Sequence, residues 1–175
     1  VNSNRRIIMA VCAMEKWGET TVGLSAPGPT GYFNFDRKVE SAVLEMLGIT
    51  ESDLYIREIR VNGTDPQDKH QAEWDEVHSA FLWMLSSDNI RTIVVDTESE
   101  MWELARMASF GKLTQVMPYQ YTMLNSMYKN MLDQCDKHNK NVIFLRKMKK
   151  QYKNDVWSGR YEPSGFSKLK DIVQV

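Results

Sequence analysis

Residues 11–25, VCAMEKWGETTVGLS, decide the fold of this chain. The apolar run RIIMAV, residues 6–11, stops at a loop, and that loop ends in Gly18-Glu19-Thr20-Thr21. A phosphate-binding loop hands over to its helix at such a place. The full pattern G-x-x-x-x-G-K-[ST] is not met: Ala13 occupies the first glycine position, Gly18 and Thr20 match, and Glu19 stands where the lysine belongs. The stretch therefore reads as strand, degenerate phosphate loop and helix start. An ordinary strand-to-helix turn without a ligand is the alternative.

In an intact loop the lysine cancels charge on the β- and γ-phosphates, backbone N–H groups cradle them, and the threonine hydroxyl ligates Mg²⁺. A glutamate there repels a phosphate by about 4 kcal/mol at about 4 Å and an effective dielectric near 20, where a lysine attracts by as much. Two arrangements relieve this: Glu19 turned to solvent, or Lys16 reaching back over the phosphates. The candidate nucleotide-binding residues are Lys16, Trp17, Gly18, Glu19, Thr20 and Thr21.

Outward from the loop, Ala26-Pro27-Gly28-Pro29 breaks the first helix, and Gly31 to Asp36 reads as a second strand ending in an acid. The i, i+3, i+4 spacing of Val39, Ala42, Val43, Met46 and Leu47 predicts a helix over 38–47, and loose alternation predicts a strand over 53–61. A helix follows over 66–85, with Asp65 as its N-cap. Residues 91–96, RTIVVD, form the cleanest strand, a continuous β-branched run as in a parallel strand buried on both faces. Helices over 98–109 and 118–138 precede a strand over 141–145. The remainder is basic and aromatic, with a turn at Ser158-Gly159 and a final strand over 171–175. Strands alternating with helices define the α/β class, a mostly parallel central sheet flanked by helices. Ligands bind such sheets beyond the C-terminal strand ends. The loop after the first strand, Asp36, Asp96 and Arg146 are thereby expected on one rim.

The 175 residues suit one domain, and 22 Lys+Arg against 23 Asp+Glu give a net charge of −1. No global basic field draws nucleic acid, so any such binding needs a local patch. Cys12 and Cys135 read as reduced thiols of a cytoplasmic protein, and no apolar run is long enough for a membrane span.

Asp96, ending its apolar strand, reads as the second half of a phosphate-loop site: with Thr20 it is a candidate Mg²⁺ ligand. Glu98 and Glu100 follow closely, and either is placed to position an attacking water. ATP and Mg²⁺ are the ligands this pairing implies.

Lys16-Trp17-Gly18-Glu19-Thr20-Thr21, Ala26-Pro27-Gly28-Pro29, Tyr32-Phe33-Asn34-Phe35-Asp36, Thr92-Ile93-Val94-Val95-Asp96-Thr97, Met101-Trp102-Glu103-Leu104 and Asn141-Val142-Ile143-Phe144 form one set with the tail, Lys149 to Asp155 and Gly159 to Phe166. This set resembles the RecA-like P-loop proteins of phages, AAA-type ATPases linked to single-strand annealing recombination. The resemblance implies a RecA-like P-loop fold, roles for Gly18, Thr20 and Asp96, and none for Glu19, because that family carries Gly-Lys-Thr in its loop. It also implies a homo-oligomer or a recombination partner protein. Leu145-Arg146 stands where the family has a polar pair after its fourth core strand.

The tail interleaves Arg146, Lys147, Lys149, Lys150, Lys153 and Arg160 with Tyr152, Trp157, Tyr161 and Phe166. Cations neutralise phosphates and exposed aromatics stack on unpaired bases. Lys149, Lys150, Lys153, Trp157 and Arg160 are the candidate contacts to single-stranded DNA; a solvated basic hairpin with its aromatics on the core is the alternative. His70, His78 and His138 lack metal-ligand spacing, and Cys135 with His138 lacks a visible cleft. Met117, Met123, Met127 and Met131 read as core filling, with a subunit interface as the other use. Two functions stay open: an ATP-binding, possible ATPase of DNA recombination with a degenerate loop, and a catalytically inactive P-loop-derived scaffold working through partners or DNA.

Overall fold

The runs over 92–96 and 141–145 pair side by side because each is apolar on both faces and can be buried only between neighbouring strands. In the computed structural model, residues 6–14, 17–35, 41–112 and 116–174 are described. Strands β1 (Ile8–Ala13), β2 (Thr30–Asn34), β3 (Leu54–Glu58), β4 (Thr92–Asp96) and β5 (Asn141–Lys153) pair in the order β1-β5-β4-β2-β3, all parallel. The far half of β5 leaves this sheet and pairs antiparallel with β6 (Val156–Pro163).

Alternation along the strands sorts the core into two layers. Ile93, Val95, Val142 and Phe144 face α3 (Gln67–Ser86), α4 (Glu98–Phe110) and α5 (Gln120–Asp133), burying Trp74, Phe81, Leu104 and Tyr128 in the larger cluster. Val94, Ile143 and Leu145 face the other way, toward Leu24 of α1 (Glu19–Leu24) and Val43, Leu44 and Leu47 of α2 (Ser41–Leu47). This is the expected α/β architecture, with helices on both faces of a mostly parallel sheet.

Several boundaries differ from expectation for local reasons. Asp65 does not cap α3: it pairs with Lys69 at 2.7 Å, and Pro66 holds the N-cap position. The helix expected over 118–138 ends as α5 at Asp133 and tightens into a 3₁₀ turn, Gln134–Lys137. The strand expected to stop at residue 145 runs on to Lys153. The hairpin turn lies at Asn154-Asp155 rather than Ser158-Gly159; both residues have positive φ, 50° and 62°, as a two-residue hairpin loop requires. In place of the last strand there is a 3₁₀ turn, Ser167–Asp171, after which the Gln174 N–H donates to the Ile8 carbonyl at 2.7 Å. Asp36 and residues 38–40 of the second expected helix lie outside the described residues.

Candidate functional site: the C-terminal rim of the parallel sheet

Three of the strand ends converge where the rule for open α/β sheets places a ligand. The Thr20 hydroxyl, two residues into α1, donates to Asp96 Oδ2 at 2.8 Å, and the buried Tyr32 hydroxyl donates to the same oxygen. Thr20 and Asp96, singled out separately in the sequence, are thus brought together. A hydroxyl whose proton is committed to a carboxylate turns a lone pair outward, and hard oxygens of this kind fit a hydrated Mg²⁺. Tyr32 was missed by sequence reasoning. Its signal was a tyrosine in the strand beside the Asp96 strand, visible only once the Tyr32–Val94 register is known.

Gly18 sits at the helix N-cap with φ 84°, a left-handed conformation that favours glycine, so this part of the degenerate motif is required by backbone geometry. Trp17 is 78% exposed and Thr21 half-buried. Glu19 is not turned out to solvent as the sequence allowed: it is half-buried, and its Oε2 is sheltered without a hydrogen-bond partner among the described residues. A carboxylate held there does not fit a polyphosphate, so a nucleotide needs a cation from elsewhere. Lys16 lies outside the described residues.

Glu98 is corrected. It is fully buried, accepts from Tyr128 Oη at 3.2 Å and from the Phe166 N–H at 3.1 Å, and lies 3.0 Å from Arg146 Nε. The Arg146 Nε–H also serves the Ser164 carbonyl at 2.9 Å. A carboxylate enclosed this way has no room to position a water. Burial pushes its pKa up to about 7 against the opposing pull of Arg146, the Phe166 N–H and Tyr128. The loop closes over it through Gly165, where a Cβ would lie 2.3 Å from Glu98 Oε2.

Arg146 is corrected with it: 6% exposed, and donating through its second nitrogen to the Phe166 carbonyl at 3.1 Å, it belongs to this buried lock and not to a nucleic-acid surface. Phe166 is buried too, against Trp102 and Tyr128. Glu100, in the first turn of α4, remains partly exposed and pairs with Lys147 Nζ at 3.0 Å.

The β5–β6 hairpin carries the expected basic and aromatic side chains. Lys149, Lys150, Lys153 and Arg160 are exposed, Lys149 opposite Glu162 at 3.6 Å. Tyr152, Trp157 and Tyr161 are exposed as well, so the expectation that these aromatics pack on the core fails. The Lys150 ammonium lies 5.4 Å from the Trp157 ring centroid, and Trp157 pairs across from Tyr152, which puts a cation and two aromatics on one face. Cys135 is buried with its thiol pushed up to about 12 by desolvation, so it offers no thiolate at neutral pH. Of the methionines, Met131 is core, whereas Met117 and Met123 are exposed.

No family model matches the chain, and no curated protein does. Among solved structures the chain is similar to a prototypical ATPase from the type III secretion system of pathogenic bacteria, at a TM-score of 0.56 and 12% identity, covering 85% of this chain and 47% of that one. The chain spans about half the length of that ATPase. Its fold is P-loop NTPase-like. Among the described residues, no helix is long and apolar enough to cross a membrane.

Proposed function

We propose that this chain is a nucleotide-binding P-loop protein of the RecA-like class, of the phage kind that acts on DNA in recombination or single-strand annealing. The observation that carries the reading is the Thr20–Asp96 hydrogen bond across a parallel sheet, the pairing a Mg²⁺–nucleotide site needs. Thr20 and Asp96 would hold a hydrated Mg²⁺, which supplies charge neutralisation to the phosphates; Gly18 and Thr21 shape the loop, Trp17 flanks it, and Glu19 weakens binding. The exposed hairpin residues Lys149, Lys150, Lys153, Trp157 and Arg160 would contact single-stranded DNA, and a second copy or a recombination protein would be the partner.

Burial of Glu98 favours the second reading for turnover: with that carboxylate enclosed, Glu100 is the acid left to orient a water, and it is held by Lys147. The protein then works by binding nucleotide rather than by rapid hydrolysis. Calorimetry with ATP, with and without Mg²⁺, tests the site, and release of inorganic phosphate tests turnover. Absence of any Mg²⁺-dependent heat would overturn the nucleotide reading.

A further inference from the structure

The phosphate loop has a glutamate at its lysine position, and the neighbouring strand carries a lysine at the same rim. β1 and β5 pair in parallel register with Ala13 opposite Lys147, so the residue at the first position of the degenerate loop has Lys147 beside it, one strand spacing away. Ile143 and Leu145 point to the α1 face of the sheet, where they pack with Leu24. Two-residue alternation puts Lys147 on that same face, one step beyond Leu145 and level with the loop. Asp96 lies opposite Leu145 in the adjacent strand and shares the parity of Val94, so Asp96 and Lys147 share one parity at one rim, with the Lys147 ammonium itself beside Glu100 of α4.

We infer that Lys147 is a phosphate-binding residue of this site, supplying from β5 the cation that Glu19 denies to the loop. The inference rests on the nucleotide reading given above. Among the contacts that position it, the Lys147 N–H donates to Ser99 Oγ at 3.1 Å, fixing the strand end, and Nζ lies 3.0 Å from Glu100 Oε1, with 30% of the side chain exposed. The ammonium is thereby kept at the rim, where phosphate oxygens compete with a half-exposed carboxylate for its protons. A strand-borne lysine also accounts for a loop that tolerates an acid: the cation is carried by β5, and Glu19 begins α1. Lys147 stands in the basic tail by sequence, but its register assigns it to the phosphates and not to the hairpin surface.

The test is titration of ATP and AMP, each with Mg²⁺, against the parent, Lys147→Met, Lys147→Arg and Glu100→Gln, with melting temperature as the check on folding. Lys147→Met is expected to weaken ATP by about tenfold or more and AMP by less than about threefold, because the contact is with the outer phosphates. Lys147→Arg keeps the charge and most of the affinity, and Glu100→Gln, which removes one competing carboxylate, binds ATP at least as well as the parent. If the parent binds ATP and Lys147→Met binds it equally, Lys147 serves the structure of the rim and not the phosphates, and the assignment is overturned while the nucleotide site stands. An equal loss of ATP and AMP marks a damaged rim and overturns it too. A parent that binds no nucleotide overturns both.

Discussion

Thr20 Oγ1 and Asp96 Oδ2 lie 2.8 Å apart although 76 residues separate them in sequence. Tyr32 donates to the same carboxylate oxygen from below, so the acid is held between a loop hydroxyl and a buried phenol. Tyr32→Phe removes one donor to a buried charged acceptor and is expected to cost about 1.5–3 kcal/mol of stability, read from urea unfolding. Thr20→Val should cost less stability and abolish the Mg²⁺ dependence of nucleotide binding. Retention of that dependence in Thr20→Val would remove the hydroxyl from the metal site.

Glu19→Lys reverses a charge at the phosphate loop. Even a screened reversal exceeds 1.4 kcal/mol, so Mg-ATP affinity should rise about tenfold or more. Equal dissociation constants for the two forms by calorimetry would show that Glu19 does not face the phosphates.

The buried Glu98 gives a pH signature. Its pKa is raised from 4.5 to about 7 in the folded chain, so between those values the folded state holds a proton that the unfolded state releases. Stability from this group is therefore full below about pH 4.5 and is lost as pH rises through about 7, by at most about 1.4 kcal/mol per unit. Glu98→Gln cannot titrate. Its stability relative to the parent should climb across that window and level off above it, and a flat difference from pH 5 to 8 would mean that Glu98 ionises normally.

Gly165→Ala tests the closure over Glu98 directly. Gly165 has φ 93°, and an added Cβ would fall 2.3 Å from the Glu98 carboxylate, so both the backbone and the contact object. A loss of about 2–4 kcal/mol is expected from strain plus displacement of a buried acid. Replacement without loss of melting temperature would show that the loop 164–166 is not a tight lid on the acid.

For the hairpin, removing Lys149, Lys150 and Lys153 together should weaken oligonucleotide binding for every sequence and reduce the salt slope by roughly 0.7 per lost phosphate contact. Trp157→Ala should cost about 1–3 kcal/mol with the slope unchanged, because stacking releases no counterions. One titration series at several salt concentrations separates the two. If the triple variant binds as the parent does, the hairpin is a solvated basic surface.

What the sequence made legible was the part governed by apolar periodicity. The Thr92–Asp96 run, buried at every position, announced a central parallel strand, and the Gly18–Thr20 remnant announced the loop that feeds α1. Charged stretches hid the rest. Past Leu145 the chain turns basic, and a hairpin solvated on both faces needs no alternation, so β5 looked finished eight residues early. Glu98 and Arg146 looked like surface charges because nothing local reveals that two such groups, 48 residues apart, neutralise one another under Phe166. Lys147 and Tyr32 matter through strand register, which a single sequence does not carry.

The thirteen-residue β5 has a mechanical consequence. Its first half is clamped between β1 and β4, Arg146 anchors it at the rim, and six residues, Met148–Lys153, project beyond as one arm of the hairpin. At about 3.3 Å per residue that arm is a cantilever about 20 Å long, so a rotation of about 5° at its root swings the tip by about 2 Å. Whatever tightens or loosens the rim around Lys147 is magnified at Asn154-Asp155, at the far end of the same strand beyond the register shift between Lys150 and Tyr152.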